Sequence, residues 1–340
     1  VSLFPLFMKT KPIIIALVVI LLLMGGWYVF QEQQYHVLLN TSASLIPRQR
    51  VKVQVQQGES AKDIASALYK KNIIVSDWVF VRYLREQKLD MAIQSGEYVL
   101  DRHDTIPIIV DVLTGKMAKE ISVTIPEGYT IKQIDALLKK KGLVKGNEFL
   151  ECIEQCKFDD EFLVRAQGLE GFLFPDTYFV DVEGFTPESF IRKLLDNFKK
   201  QTDPFRKDIP QGKLYDTIIM ASLIERETKT EEERPIVAGI LWKRLENHWY
   251  LGVDATLRYY TDDWVHSITY ADLQDKNPYN TYKNIGLPPT PIANPGLSSI
   301  KAAVYPEHTD YWYYLHDKEG NIHYAKTNAE HTQNKIKYLY

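Results

Sequence analysis

Cysteine is almost absent: in 340 residues only Cys152 and Cys156 occur. Two cysteines exclude a dense disulfide framework and a four-cysteine zinc site. Spaced four apart in ECIEQC, they could lie on consecutive helical turns, either as two inert thiols or as one bridge closing a very short loop. A basic surplus is missing too. Lys and Arg number 41 against 44 Asp and Glu, a formal net charge of −3, which leaves no electrostatic footprint for nucleic acid. No G-x-S-x-G nucleophile turn, Walker-type phosphate loop or dinucleotide fingerprint occurs. His316, His323 and His331 are not at paired ligand spacing on one helix, and no cysteine or carboxylate cluster joins them. Neither a metal nor a cofactor is expected.

What is present is ordinary globular material, 45% hydrophobic and 25% charged, long enough for two domains or more. Aromatic residues are plentiful, with 21 Tyr, 14 Phe and 6 Trp. Such rings stack on the apolar faces of sugars and serve cores equally well.

One long apolar run stands out. Lys9 and Lys11 precede the uncharged stretch 12–30, PIIIALVVILLLMGGWYVF, close to the roughly 20 residues of a membrane-spanning helix. Trp27 and Tyr28 suit an interfacial anchor. The core Ile13–Met24 is short enough for a cleaved signal, but no small-x-small site follows cleanly, and Ala43 lies far downstream. The expectation is an uncleaved anchor with residues 1–11 cytoplasmic and the bulk outside the membrane. Residues 31–50 are polar without strong periodicity and read as a juxtamembrane linker.

An internal repeat follows. VKVQVQQGESAKDIASALYKKNIIVSDWVF from Val51 aligns with ISVTIPEGYTIKQIDALLKKKGLVKGNEFL from Ile121, every matched pair 70 apart. Val53 matches Val123, Gly58 matches Gly128, Ser60 matches Thr130, and Ile64 and Leu68 match Ile134 and Leu138. Each copy predicts an alternating strand, a glycine turn, a Ser or Thr N-cap and an amphipathic helix. Between the copies, a strand is expected at Glu97–Leu100 and a helix at Thr105–Leu113, closed by Gly115. The first copy resembles a LysM-like module, a small strand–helix unit known for binding N-acetylglucosamine glycans. This gives a LysM-like subdomain over 51–118 and a second βα module over 119–160.

In the remaining half, 161–340, EGFLFPDTYFV from Glu170 predicts strand, turn and strand burying Phe172, Phe174 and Tyr178. Helices are expected at Pro187–Gln201, Lys213–Thr228 and Glu231–Trp249. In KLYDTIIMASLIERET, residues Leu214, Ile218, Ala221, Ser222 and Glu225 recur at spacings of three and four and share a stripe. A carboxyl ending an otherwise core-facing stripe would carry a raised pKa, as acid catalysis needs. Glu227 lies about 200° round the helix and should face elsewhere, so Glu225 is the candidate acid. Asp254 follows in LGVDATLRYY. PYNTYKNIGLPPTPIANPG, Pro278–Gly296, is too rich in proline and glycine for a regular element; its Asn280, Tyr282 and Asn284 could bind sugar hydroxyl and acetamido groups or serve a structural clasp. A capped helix at Ser298–Val304 and a hairpin turning at Glu319-Gly320 complete the chain.

EGFLFPDTY (Glu170–Tyr178), MASLIERET (Met220–Thr228), YNTY (Tyr279–Tyr282) followed by GLPPTPIANPG, and SSIKAA (Ser298–Ala303) occur in an order that resembles the YceG-like endolytic murein transglycosylases. With the anchor and the LysM-like module, the resemblance covers nearly the whole chain. It differs where the family often shows Asp-Pro-Thr: here Asp254-Ala255-Thr256 stands. The resemblance implies an α+β fold with a mixed α/β catalytic domain, on the outer side of a bacterial cytoplasmic membrane. It implies cleavage of the N-acetylmuramic acid–N-acetylglucosamine bond of nascent peptidoglycan to 1,6-anhydro ends, with peptidoglycan synthases as partners. It places the catalytic glutamate at the first Glu of the M-A-S-x-I-E-x-E-T segment, Glu225, and by analogy lets Asn280, Tyr282 and Asp254 serve the substrate. The alternative is a non-catalytic, membrane-tethered glycan-binding scaffold.

Overall fold

The computed structural model describes residues 6–47, 49–117 and 120–339, with side chains from Ala16 onward. It divides into two compact units, residues up to 122 with 179–184, and 123–178 with 185–340.

The first unit begins with helix α1, Leu6–Leu39. Its part Ala16–Leu39 is the one described helix long and apolar enough to cross a membrane, and its large side chains from Leu17 to Phe30 are exposed. The stretch expected as a linker starts as the last turns of this helix. Tyr35 and Leu39, one turn apart, are buried in the core of the unit. Tyr35 Oη donates to Glu86 Oε2 at 2.6 Å, and Arg82 pairs with Glu32 at 2.7 Å while its guanidinium lies 3.8 Å over the Tyr35 ring. Two apolar residues four apart suffice to dock a helix end but are too few to register as periodicity.

After α1 come β1 (Arg50–Val55), α2 (Ala61–Lys70), α3 (Asp77–Glu86), β2 (Gly96–Asp101) and α4 (Ile106–Leu113). Strands β1 and β2 pair antiparallel with Val53 opposite Tyr98, and the inward residues Val53, Val55, Tyr98 and Leu100 join Ile64, Leu68, Phe80 and Leu84 in the core. The second copy of the repeat provides β3 (Glu120–Thr124), α5 (Ile131–Lys140) and α6 (Glu148–Gln155), and β3 pairs with β4 (Thr177–Asp181). The 70-residue offset holds at the level of bonds. Ser60 accepts from Asp63 N and Thr130 from Gln133 N, while Gly58 and Gly128 turn at φ of 80° and 76°. Each copy is thus a strand, two helices and a returning strand. Cys152 and Cys156, at the end of α6, are bonded to each other.

The second unit holds most of this second copy and continues with α7 (Pro187–Thr202), α8 (Leu214–Glu227), α9 (Glu233–Glu246), α10 (Asp254–Thr261), α11 (Tyr270–Gln274), α12 (Leu297–Val304), the hairpin β5 (Tyr313–His316) and β6 (Ile322–Ala325), and α13 (Asn328–Tyr338). Helix α8 is its central element and packs on α9, α10 and α12. All eight residues from Thr217 to Ile224 are buried. Gly239 lets α9 close on the chain at residue 307, where a Cβ would stand 1.9 Å from the Glu307 carbonyl oxygen.

The strand–turn–strand expected from Glu170 is half realised. Only β4 forms. Gly171 turns at φ 90°, and the N–H groups of Gly171 and Leu173 both donate to Asn294 Oδ1 at 2.9 Å, which replaces strand pairing. Phe172, Phe174 and Tyr178 are nevertheless buried.

Candidate active site

The two glutamates that end α8 have different surroundings. Glu225 faces the start of α12. Its Oε2 accepts from Gly296 N at 3.0 Å and from Ser299 Oγ at 2.7 Å, and Arg234 Nη2 of α9 stands 3.9 Å from Oε1. Gly296 is the N-cap of α12, so the carboxylate meets the positive end of that helix. Arg234 closes the ring by donating to Ser299 Oγ at 3.0 Å and pairing with Glu231 at 2.8 Å. Only 8% of the Glu225 side chain is exposed. Glu127 lies beside this group, its carboxyl raised by burial and then by the charge of Glu225. Glu225 therefore ties α8, α9 and α12 together.

Glu227, set aside on periodicity, lines a cavity of about 500 Å³ that Glu225 does not border. Asp254 opens α10 at the cavity, and Tyr282 reaches in from the proline-rich loop, its hydroxyl donating to Asp254 Oδ1 at 2.6 Å. Tyr314 of β5 donates its hydroxyl to Glu227 Oε2 at 2.8 Å. Arg244 of α9 also lines the space; its guanidinium donates to the carbonyls of Leu251 at 2.5 Å and Trp312 at 2.6 Å. Trp249, Tyr250 and Tyr313 add aromatic walls.

This setting decides the proton affinity of Glu227. Burial pushes its carboxyl up to about 7; the Tyr314 hydroxyl opposes the shift, the Asp254 charge adds to it, and Arg244 opposes it. Glu227 keeps some exposed surface because it borders the cavity, yet protein surrounds it on the other sides, and that loss of water is the main cause. Tyr282 and Tyr314 are both raised, chiefly by burial, and so remain hydroxyl donors. A carboxyl that holds a proton near neutrality, beside a second carboxylate in an aromatic-walled cavity, can serve as an acid and then as a base.

Of the residues singled out in the sequence, the fold brings Asp254 and Tyr282 together at this cavity. Asn280 does not line it: it is fully buried, its Nδ2 donates to the Asp275 carbonyl at 2.5 Å, and its Oδ1 accepts from Tyr282 N at 3.0 Å. Its amide shapes the loop and thereby aims Tyr282. Asn284 likewise donates to the carbonyls of Asn277 and Asn280. The loop is a clasp, locked to α10 by Thr281, whose hydroxyl accepts from Val253 N at 2.8 Å. The three histidines have different partners, although His316 and His331 both border the cavity. His316 contacts Glu233 at 3.2 Å, His323 contacts Asp317 at 2.8 Å, and His331 stacks on Tyr313.

A second buried carboxyl, Glu170, has a structural setting. It accepts from Ile131 N at the start of α5, from Asn294 Nδ2 and from Tyr259 Oη, and burial pushes it up to about 8.

Sequence comparison matches the YceG-like family over residues 53–337. The endolytic murein transglycosylase of Bacillus subtilis (strain 168) is 30% identical over 311 residues, covering 85% of each chain. That of Streptococcus pneumoniae serotype 2 (strain D39 / NCTC 7466) is 26% identical over 339 residues; the alignment takes in 87% of this chain and 60% of the relative. The crystal structure of a putative yceG-like protein from Listeria monocytogenes superposes with a TM-score of 0.58 at 30% identity, covering 84% of this chain and 99% of that one. The match extends from the first strand of the repeat to the last helix, and on that extent the chain belongs to the YceG-like family.

Proposed function

We propose that the chain is a peptidoglycan lytic transglycosylase anchored in the membrane by α1, with Glu227 as its acid and base. The observation that carries this reading is the Glu227 carboxyl, pushed up to about 7 at the cavity and hydrogen-bonded by Tyr314. The names of the Bacillus and Streptococcus relatives supply the substrate.

In this mechanism protonated Glu227 gives its proton to the glycosidic oxygen between N-acetylmuramic acid and N-acetylglucosamine, and the C1–O bond breaks. The acetamido group of the sugar and the Asp254 carboxylate stabilise the developing cation. Glu227, now a carboxylate, takes the proton of the muramyl 6-hydroxyl as its oxygen closes on C1. The product is a 1,6-anhydro end, no water is consumed, and the enzyme returns to its starting protonation state. The Tyr282–Asp254 bond fixes the second carboxylate, and Trp249, Tyr250 and Tyr313 offer faces for the sugar rings.

The anchor reading is supported by the exposed apolar surface of α1, and an extracytoplasmic location by the Cys152–Cys156 bond, which an oxidising compartment favours. The strand–helix–helix–strand order of the first unit is compatible with a LysM-like role in holding glycan. Synthases at the same membrane would be the natural partners of such an activity.

The test is digestion of purified peptidoglycan followed by mass spectrometry of the new ends. Wild type should give anhydro-muramyl ends and Glu227→Gln none, with its fold intact. Reducing ends would point to hydrolysis by the Glu227 and Asp254 carboxyls. An absence of new ends with glycan still bound would favour a scaffold. Loss of chemistry in a well-folded Glu225→Gln, with Glu227→Gln active, would return the role to Glu225.

A further inference from the structure

The cavity has chemistry that the bond-breaking step does not use. Helix α13 contributes Asn328, His331 and Lys335 to its lining. Spacings of three and four put them on one face of the helix. Helix α13 is held in place by other groups. Thr327 caps its start, Asn334 Nδ2 donates to the Tyr324 carbonyl at 3.2 Å, and Tyr338 stacks on His323 at 3.5 Å. Among the described residues the side chains of Asn328, His331 and Lys335 make no hydrogen bond, and Lys335 has no ion-pair partner. The ring of His331 is fixed against Tyr313, 5.0 Å between centroids. The helix thus presents an ammonium, an amide and an imidazole to the cavity, and among the described residues none of their polar atoms is hydrogen-bonded, although the His331 ring packs on Tyr313.

The charge pattern says what they take. Asp254, and Glu227 once it has given up its proton, put negative charge at one side of the cavity, so an anionic group of the ligand is repelled there. Arg244, His316, His331 and Lys335 bring the cationic and ionisable nitrogen groups. Arg244 already donates to carbonyls, which leaves Lys335 as the flexible cation able to reach a ligand.

Resting on the transglycosylase reading, we propose that Asn328, His331 and Lys335 form a carboxylate-binding wall of the Glu227 cavity, which recognises an acidic substituent on the muramyl sugar. The carboxylate is either the free lactyl group of a peptide-stripped strand or a carboxylate of the attached peptide. Lys335 supplies the charge, Asn328 a neutral donor, and His331 a flat flank. The wall sets which sugar ring stands at Glu227, because only every second ring of the glycan carries this acid.

The test uses the full chain in detergent and three glycan probes: peptide-bearing strands, strands stripped of peptide, and peptide-bearing strands whose carboxyls have been amidated. Wild type should show a KM about three- to tenfold lower for a carboxylate-bearing probe than for the amidated one, the range expected of a charge-assisted contact that is partly open to water. Lys335→Gln should raise KM for the carboxylate probe to the amidated level with kcat little changed, and Lys335→Arg should keep most of the preference. Preference for the stripped over the peptide-bearing strand identifies the lactyl carboxylate, and the reverse identifies the peptide. Equal KM for acidic and amidated probes in wild type, or an undiminished preference in Lys335→Gln, overturns the proposal. Binding of the same probes to Glu227→Gln protein reads the preference without turnover. A carboxylate preference there that Lys335→Gln removes, together with a wild type that makes no new ends from peptidoglycan, would sink the enzyme reading and leave the wall standing.

Discussion

The hydroxyl of Tyr314 donates to the Glu227 carboxylate across 2.8 Å, joining residues 87 apart in sequence. It opposes the effect of burial and keeps the carboxyl near 7, where a proton can be both given and taken.

Removing that hydroxyl should move the pH profile. The bond favours the ionised form, so Tyr314→Phe leaves burial and the Asp254 charge less opposed and the Glu227 pKa rises further. On the proposed role of Glu227 as the acid, the basic limb of kcat/KM should lie at higher pH in Tyr314→Phe than in wild type. A limb that stays in place would detach it from Glu227.

Glu227 should also make stability depend on pH. Its folded pKa, about 7, lies above the ordinary 4.5, so the folded state holds the proton more tightly than the unfolded chain does. The resulting stabilisation is complete below about pH 4.5 and is lost as pH rises through 7. Glu170, raised to about 8, adds a loss of the same sign at higher pH. Glu227→Gln should therefore melt higher than wild type at pH 8.5 and differ little at pH 4.5, with a difference on the order of 3 kcal/mol at most. Thermal melts at the two pH values check this, and an equal offset at both would refute it.

Glu225→Ala should lower stability by about 2–3 kcal/mol. It strips Ser299 and Gly296 of their shared acceptor and leaves the buried Arg234 with Glu231 as its one remaining ion-pair partner among the described residues. Urea unfolding at pH 7 measures the loss, and an unchanged midpoint would show that the ring of contacts carries no stability.

Gly239→Ala should be harmful out of proportion to one methyl group. The Cβ would meet a backbone oxygen, which cannot swing aside as a side chain could. A loss of about 1–3 kcal/mol is expected, with the segment after α12 pushed off α9. Proteolysis after residue 304 should accelerate; an unaltered rate with an unchanged melt would contradict the close approach.

Much of the local structure was legible because it depends on neighbours in sequence. The duplicated caps at Ser60 and Thr130, the hairpin turn at Gly320 and the helix ends of α7 to α9 fall within a residue or a few of their expected places. The choice between Glu225 and Glu227 was not legible in that way. A stripe argument assumes a helix with one buried face, and α8 is buried on all sides from Thr217 to Ile224. Any carboxyl at its end then meets protein, and only the neighbours distinguish one from the other. A buried glutamate followed by a second two residues on was the available signal, but it does not say which is tied down.

The sequence by itself determined the long apolar run, the repeat, the central helix and the family, since each rests on local periodicity or on ordered motifs. The tertiary structure decided which groups share a space. It gave Glu225 to Ser299 and Gly296, turned Asn280 inward as a loop brace, and carried α1 past the apolar run into the core of the first unit at Tyr35. It also gathered Glu227, Asp254, Tyr282, Tyr314 and α13 around one cavity. Those residues come from five segments of chain, and a pKa set by burial among them exists only once the chain has closed around it.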